Sequence, residues 1–354
     1  VVLTIVIASV LLMLTASVVF LFARYAPIIA NLFMNITTRR VQNGELPLTG
    51  EDVTFETTDG VRLAGTLGRV PATGTDVPVV VFCHEFMSGR HTVTKYASFL
   101  EAGGFRVFTF DFRGHGDSEC PLGYVPRQWV TKHEVSDLRA ALRYLRDRED
   151  VGDAAVGLLG LSRGAVAAIA VAGDDPTVSG VVADGAFSTD HTLHSYMRRW
   201  APIFVDRRML PFSRFEWILG TFRRVGIRLA EHRLGVRFVS VLPALRRLSV
   251  PVFFIHGQED SYVEPDQAKL LSDLVDGRKA LWIVPHADHN KAFDVAPVEY
   301  GRRVVRFFQT SLPFDKAQGP EPVEGGMTAP AVTTPQDSED PSGFRGAVSR
   351  STPS

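Results

Sequence analysis

The sequence predicts an α/β fold: a mostly parallel sheet with helices on both faces, a helical segment inserted after the sixth strand, and an N-terminal transmembrane helix. Three observations carry this. From residue 77 to residue 312, short apolar runs alternate with stretches of helical periodicity, the order that builds a parallel sheet with crossover helices. The unusual polar motifs fall at the carboxyl ends of those apolar runs, where such sheets bind ligands. The first 22 residues, Val1 to Phe22, carry no charge.

As a helix, those first residues reach about 33 Å, against roughly 30 Å of bilayer hydrocarbon. A cleaved signal has a basic start, a shorter apolar core and a small-residue cleavage site. The uniform apolar run favours a retained single-span anchor. Arg24, Arg39 and Arg40 follow it, which by the positive-inside rule puts the globular domain in the cytoplasm. Residues 23–50 read as a juxtamembrane linker, with Pro27 to Met34 apolar enough to lie at the interface. Val53–Thr57 and Val61–Leu67 alternate around Asp59-Gly60, a hairpin signal that gives the sheet an antiparallel N-terminal edge.

Val77–Cys83 is a continuous apolar run, as a central parallel strand requires. A helix near Thr94–Ala102 follows, closed by Gly103-Gly104. Phe105–Phe110 is the next strand and Lys132–Arg148 the next helix, with Val135, Leu138, Ala141, Leu142 and Leu145 on one face. Ala155–Leu161 is a buried strand that turns at Ser162 into a small-residue helix. Val178–Ala183, Val252–His256 and Ala280–Pro285 are further strands, with helices at Ala268–Val275 and Val298–Leu312.

Residues 188–250 break the alternation. They hold twelve Arg, no Lys and four acidic residues, a net of +8, so the rest of the chain carries -9 (-1 minus +8). Phe215, Ile218, Leu219, Phe222, Val225 and Leu229 recur at helical spacing among arginines, the pattern of a basic amphipathic helix. Residues 313–354 hold seven of the 21 prolines and are expected to be disordered. The domain reading is therefore an anchor at 1–22, a linker at 23–50, an α/β domain at 51–312 with a helical insertion at 188–250, and a tail at 313–354.

At 354 residues and 45% hydrophobic, the chain supports one large core of about 250 residues. A net charge of -1 gives no case for nucleic acid. Cys83 and Cys120 are too few for a disulfide framework. The histidines show no H-E-x-x-H or Cys/His spacing and no G-x-G-x-x-G opens a helix after a strand, so neither a metal nor a cofactor is expected.

Gly160-Leu161-Ser162-Arg163-Gly164 fits G-x-S-x-G, a strained strand-to-helix turn that lifts a serine hydroxyl above the sheet. The glycines are needed because side chains there would collide with the neighbouring strand and helix. The helix starting at Arg163 aims its free N–H groups at the point where an oxyanion would form. Acyl transfer also needs a base and a carboxylate to orient it. His289, in the loop after the last strand, is the candidate base, with His286 its competitor. Asp260, in His256-Gly257-Gln258-Glu259-Asp260, is the candidate carboxylate; its alternative role is to cap the helix that follows Pro265. Arg113 and Asp117 read as loop scaffolding, His84 as structural and Cys83 as a packed thiol.

In the order Ser, Asp, His, with Asp111-Phe112-Arg113-Gly114-His115-Gly116-Asp117-Ser118 after the fourth strand, these motifs resemble the α/β-hydrolase superfamily over residues 51–312. The nearest likeness is to membrane-anchored, monoacylglycerol-lipase-like esterases. The resemblance implies Ser162 as nucleophile, Asp260 as acid, His289 as base, and an oxyanion hole from the backbone N–H of Arg163 and one near Phe86. It places the family's cap at 188–250. Three residues depart from or complicate the family pattern. Glu85 stands where His-Gly is usual, His286 stands where a glycine often precedes the catalytic histidine, and Asp184 occupies a position that supplies the acid in some members.

The expected activity is hydrolysis of a carboxylic ester, a lipid or acylglycerol included, or of an amide or thioester. The expected partners are an acyl substrate and the membrane, through the N-terminal helix and the basic cap. The rival readings are a serine peptidase of the same fold and a catalytically silent binding module, which Glu85 alone favours.

Overall fold

A computed structural model describes residues 2–34, 48–70, 77–205, 207–208 and 215–312. The tail expected at 313–354 lies outside the described residues, as does 35–47 of the expected linker.

The sheet has eight strands, β1 (Gly50–Glu56), β2 (Arg62–Gly68), β3 (Val79–Cys83), β4 (Arg106–Phe110), β5 (Val156–Leu161), β6 (Val178–Asp184), β7 (Val252–Gly257) and β8 (Lys279–Val284), in the order 1-2-4-3-5-6-7-8. β1 and β2 form an antiparallel hairpin, and β2 pairs antiparallel with β4. From β4 to β8 all pairs are parallel. The predicted class and its antiparallel edge are therefore the observed ones.

The strands read as unbroken apolar runs because both faces are covered. Successive side chains alternate between faces. Val79, Val81 and Cys83 enter one core with Leu158, Val181 and Phe254. Val80 and Phe82 enter the other with Leu159, Val182 and Phe253. The first core is closed by α3 (Lys132–Arg146), α4 (Arg163–Ala172) and α7 (Val241–Arg247), through Leu138, Leu142, Ile169 and Leu245. The second is closed by α2 (Thr94–Ala102) and α10 (Pro297–Ser311), through Tyr96, Phe99, Val304 and Phe308. α8 (Asp266–Asp273) and the single turn α9 (Ala292–Val295) complete the helices around the sheet.

α3 begins with a capping box. Thr131 accepts from the His133 N–H while the Glu134 carboxylate accepts from the Thr131 N–H, satisfying donors that a helix start leaves free.

Between β6 and β7 come α5 (Thr189–Phe204), α6 (Glu216–Leu234) and α7. α6 is the helix predicted from the Phe215–Leu229 periodicity.

The N-terminal helix, α1, spans Val2–Met34 and runs on through Pro27 into the segment read as a linker. Its length and composition suffice to cross a membrane. Val2, Leu3, Leu11, Met13 and Phe20 are among its exposed apolar side chains, and the hydroxyls of Thr15 and Ser17 bond back to the carbonyls of Leu11 and Met13, both at 2.8 Å, so these two donors are satisfied within the helix. The continuation has a packing cause: Ala26, Ile29 and Ala30 are buried, and the Phe22 ring stacks on Phe222 of α6 at 4.3 Å.

Candidate active site

The site sits at the carboxyl ends of β3, β5, β6, β7 and β8. Ser162 follows β5 directly, with φ +47° and ψ -111°, a conformation that costs a non-glycine residue of order 1–3 kcal/mol. The surroundings hold it there. Its N–H donates to the Asp184 carbonyl at 2.7 Å and its carbonyl accepts from Val166 N–H at 3.1 Å.

Both glycines of the motif answer to close approaches. A Cβ on Gly160 would lie 2.6 Å from the Ala165 backbone of α4. One on Gly164 would lie 2.1 Å from the Cys83 carbonyl oxygen and 2.7 Å from that of His84. The end of β3 therefore lies against the first turn of α4, which brings the His84-Glu85-Phe86 loop beside the Arg163 N–H. That N–H is among the four a helix start leaves unbonded within the helix.

His84 fixes this loop. Its Nε2 accepts from the Phe112 N–H at 3.1 Å and its Nδ1 donates to the Glu85 carbonyl at 2.7 Å. Burial pushes its pKa down to about 4, which keeps the ring in the neutral form that this pattern requires. His84 is structural, as the sequence suggested.

The His289 loop is stitched to the end of β7. Gln258 N–H donates to Val284 and Glu259 N–H to Ala287, both at 2.9 Å. The Asp288 carboxylate accepts from the backbone N–H groups of Ser261 and His289. A Cβ on Gly257 would strike the Ala287 carbonyl oxygen at 2.3 Å, so the HGQED glycine is the residue over which this loop passes.

The result is a chain of contacts across three strand ends. Ser162 Oγ lies 2.8 Å from His289 Nε2, and His289 Nδ1 lies 2.6 Å from Asp260 Oδ2. The Asp260 carboxylate also faces His256 Nε2 at 3.1 Å and accepts from the N–H groups of Tyr262 and Val263 at 2.9 and 2.7 Å. Burial alone would raise the Asp260 pKa, but the hydrogen bonds from His256 and His289 outweigh it and hold the carboxyl well below the usual range. An ionised Asp260 can only accept, so His289 carries its proton on Nδ1 and turns a lone pair on Nε2 toward the serine hydroxyl. Chemically, this arrangement can take a proton from Ser162 and stabilise the imidazolium that results.

The sequence-level competitors lie elsewhere. The His286 side chain is 85% exposed and pairs with Glu259 at 3.0 Å. Asp184 is buried and accepts from the Tyr300 hydroxyl at 3.0 Å. Arg113 is buried against Asp137 and Asp59, and Asp117 pairs with Arg90, which is scaffolding as expected.

Two features were missed. The Arg163 side chain, fully buried, pairs with Glu134 at 2.8 Å, lies over the Phe112 ring at 5.4 Å and reaches His115 at 3.4 Å. It ties the residue after the nucleophile to the start of α3. The second is Asn290, which donates to the Glu85 carboxylate. The T-x-x-E spacing at Thr131 is a local signal that could have singled out Glu134 as a capping residue, but nothing local marks Arg163 as its partner.

The model for the alpha/beta hydrolase family matches residues 80–307 of the chain. The chain belongs to the alpha/beta hydrolase family. The matched span runs from β3 through α10 and takes in all three residues of the contact chain. Among relatives, the protein YfhR of Escherichia coli strain K12 is 26% identical over 276 residues, 76% of this chain and 84% of YfhR. YqkD of Bacillus subtilis is 25% identical over 238 residues, 66% of this chain and 72% of YqkD. Both carry the description "uncharacterized". Among solved structures, the Pyrococcus furiosus esterase Pf2001 superposes with a TM-score of 0.58 at 23% identity, covering 78% of this chain and all of the esterase. At that identity the likeness bears on fold.

Proposed function

We propose that this alpha/beta hydrolase is a membrane-anchored serine hydrolase that cleaves carboxylic esters through Ser162, His289 and Asp260. The observation that carries the reading is the 2.8 Å contact between Ser162 Oγ and His289 Nε2, backed by the 2.6 Å contact of His289 with Asp260.

In this mechanism His289 removes the Ser162 proton as Oγ attacks the ester carbonyl carbon. The resulting oxyanion is held by the backbone N–H groups of Arg163 and Phe86. The tetrahedral intermediate collapses, the bond to the alkoxide breaks, and His289 returns its proton to the departing oxygen. Water, deprotonated by the same imidazole, then cleaves the acyl-enzyme and frees Ser162 and the acid. Asp260 holds the tautomer and offsets the imidazolium charge throughout.

The anchor is supported by the packing of α1. Ala26, Ile29 and Ala30 are buried, and α6 meets them through Gly226. Cleavage of α1 as a leader would strip this surface bare.

The test uses the full chain in mild detergent, with a fluorescent fluorophosphonate and p-nitrophenyl esters of increasing acyl length. Wild type labels and turns over ester, while Ser162→Ala and His289→Ala lose both. A folded wild type that neither labels nor hydrolyses any ester sinks the proposal and leaves a binding module of the same fold.

A further inference from the structure

We propose that the tip of the cap, built by Ile203, Phe215 and Trp217, dips into the same bilayer leaflet that α1 enters, so that the site draws its substrate from a lipid surface. The proposal rests on the serine-hydrolase and anchor reading above and adds to it the surface on which the enzyme works.

The argument begins with register. α1 and α6 run in the same direction. Phe22 stacks on Phe222, Ile29 sits against Gly226, and Asn31 accepts from Arg233 at 3.2 Å. The approach at Gly226 is close: a Cβ there would lie 2.5 Å from Ile29 Cγ2, so the glycine lets the helix axes come together. Helices side by side advance equally per residue, by about 1.5 Å. Trp217 precedes Gly226 by the same number of residues as Phe20 precedes Ile29, so Trp217 lies level with Phe20 and Phe215 level with Val18. Those α1 residues belong to the uncharged, exposed apolar stretch.

The side chains at this level match their setting. Trp217 is 71% exposed and Phe215 52%. α5 runs antiparallel to α6, since Asp190 pairs with Arg223 and Arg198 with Glu216. Its last turn therefore comes to the same tip, where Ile203 is 63% exposed. Three large apolar side chains protruding together from a water-facing lid would be costly; at a bilayer they are anchors. Glu216, the acid among them, is met by His194 at 2.9 Å and Arg198 at 3.2 Å.

Charge follows the same levels. Arg24 is the first charge on α1. Arg223, Arg224 and Arg228 of α6 come at or beyond that level, on the side away from the apolar stretch. On both helices the arginines thus begin at about one height, Arg24 on α1 and Arg223 on α6, where an interface with anionic headgroups would place them.

The test places an environment-sensitive nitrobenzoxadiazole fluorophore on Trp217→Cys in a Cys120→Ser background, with the full chain in phosphatidylcholine–phosphatidylglycerol vesicles. Cys83 is fully buried and its thiol is pushed up by burial, so it does not compete for the label. A Glu149→Cys label, at the amino ends of the strands, serves as the water-exposed reference. The proposal expects the label at 217 to shift to the blue and lose most of its emission to doxyl-labelled lipid, while the reference does neither. Equal emission and equal quenching at both positions overturns it. An Ile203→Ser, Trp217→Ser double variant should lose turnover of a vesicle-borne long-chain ester and keep that of p-nitrophenyl acetate. Equal loss on both substrates also overturns it. The quenching needs no catalysis, so it stands apart from a failure of the hydrolase reading, which p-nitrophenyl acetate reports directly.

Discussion

Asn290 donates its side-chain amide to the Glu85 carboxylate, tying the loop after β3 to the loop that carries His289. The acid that departs from the usual His-Gly pattern is thereby engaged by a neighbour of the candidate base. Asn290 holds this position at φ +56°, in the left-handed region that asparagine enters more readily than most residues. Glu85→Gln keeps an acceptor oxygen for Asn290 and should hold kcat/KM within a few-fold of wild type. Glu85→Ala removes this tie between the two loops, and misplacement of this kind costs about 10- to 100-fold in kcat/KM. Ester kinetics on the two variants check this, and an active Glu85→Ala enzyme would show that the tie is dispensable.

The two acids near His289 should separate cleanly. Asp260→Asn leaves the space filled but favours the wrong imidazole tautomer, and a change of this kind lowers kcat by about 10⁴-fold. Asp184→Asn should keep fluorophosphonate labelling, because its side chain meets Tyr300 and only its backbone meets Ser162. Equal loss in the two variants would reassign the acid.

Asp184 also predicts a pH dependence of stability. Burial pushes its carboxyl up to about 7, although the Tyr300 hydrogen bond works the other way. In the unfolded chain it titrates near 3.9. Between those values the folded chain holds a proton that the unfolded chain has released. The stabilisation is therefore fully present below about 4 and is lost as pH rises through about 7. Asp184→Asn should raise Tm at pH 8, leave it nearly unchanged at pH 4, and flatten the curve between. Thermal melts at both pH values decide the point.

The Arg163–Glu134 pair is buried on both sides. Burial alone would raise the Glu134 pKa, but the Arg163 charge and the bonds from Tyr124 and Thr131 hold it below its usual range. Removing one partner strands the other charge, at a cost of about 3–5 kcal/mol. Glu134→Gln should therefore lower the urea midpoint strongly, whereas Arg143→Gln on the same helix should barely move it. Since Arg163 begins the helix behind Ser162, labelling of Glu134→Gln should also slow.

The sheet was legible because a strand covered on both faces leaves a simple mark, an unbroken apolar run, and Val79–Cys83 and Val156–Leu161 carry it. Ser162, Asp260 and His289 were legible because each follows such a run. The side-chain partners were not. Glu85 and Asn290 lie 205 positions apart, and no local pattern joins them. That the N-terminal helix runs on through residues 23–34 was not legible for a related reason: the surface against which this segment packs belongs to α6, far along the chain.

That surface gives the last prediction. Gly226 and Ala230 of α6 are buried, the first directly against Ile29. Phe222 gives its ring to Phe22 and Tyr25. A chain begun at residue 48 keeps the sheet and the second core, but takes Ile29 and Ala30 out of the first and exposes this face. Burial of apolar surface is worth roughly 25 cal/mol per Å², so the loss falls on α6, the helix whose Phe222 and Gly226 face α1. The truncated protein should bind anilinonaphthalene sulfonate and lose protection from proteolysis within α6, residues 216–234, while β3–β8 stay protected from hydrogen exchange. Restoring residues 23–34 without the residues before them should recover that protection. If the truncated chain instead shows α6 as protected as in the full chain, α1 is a passive tether and its packing on α6 does not stabilise the fold.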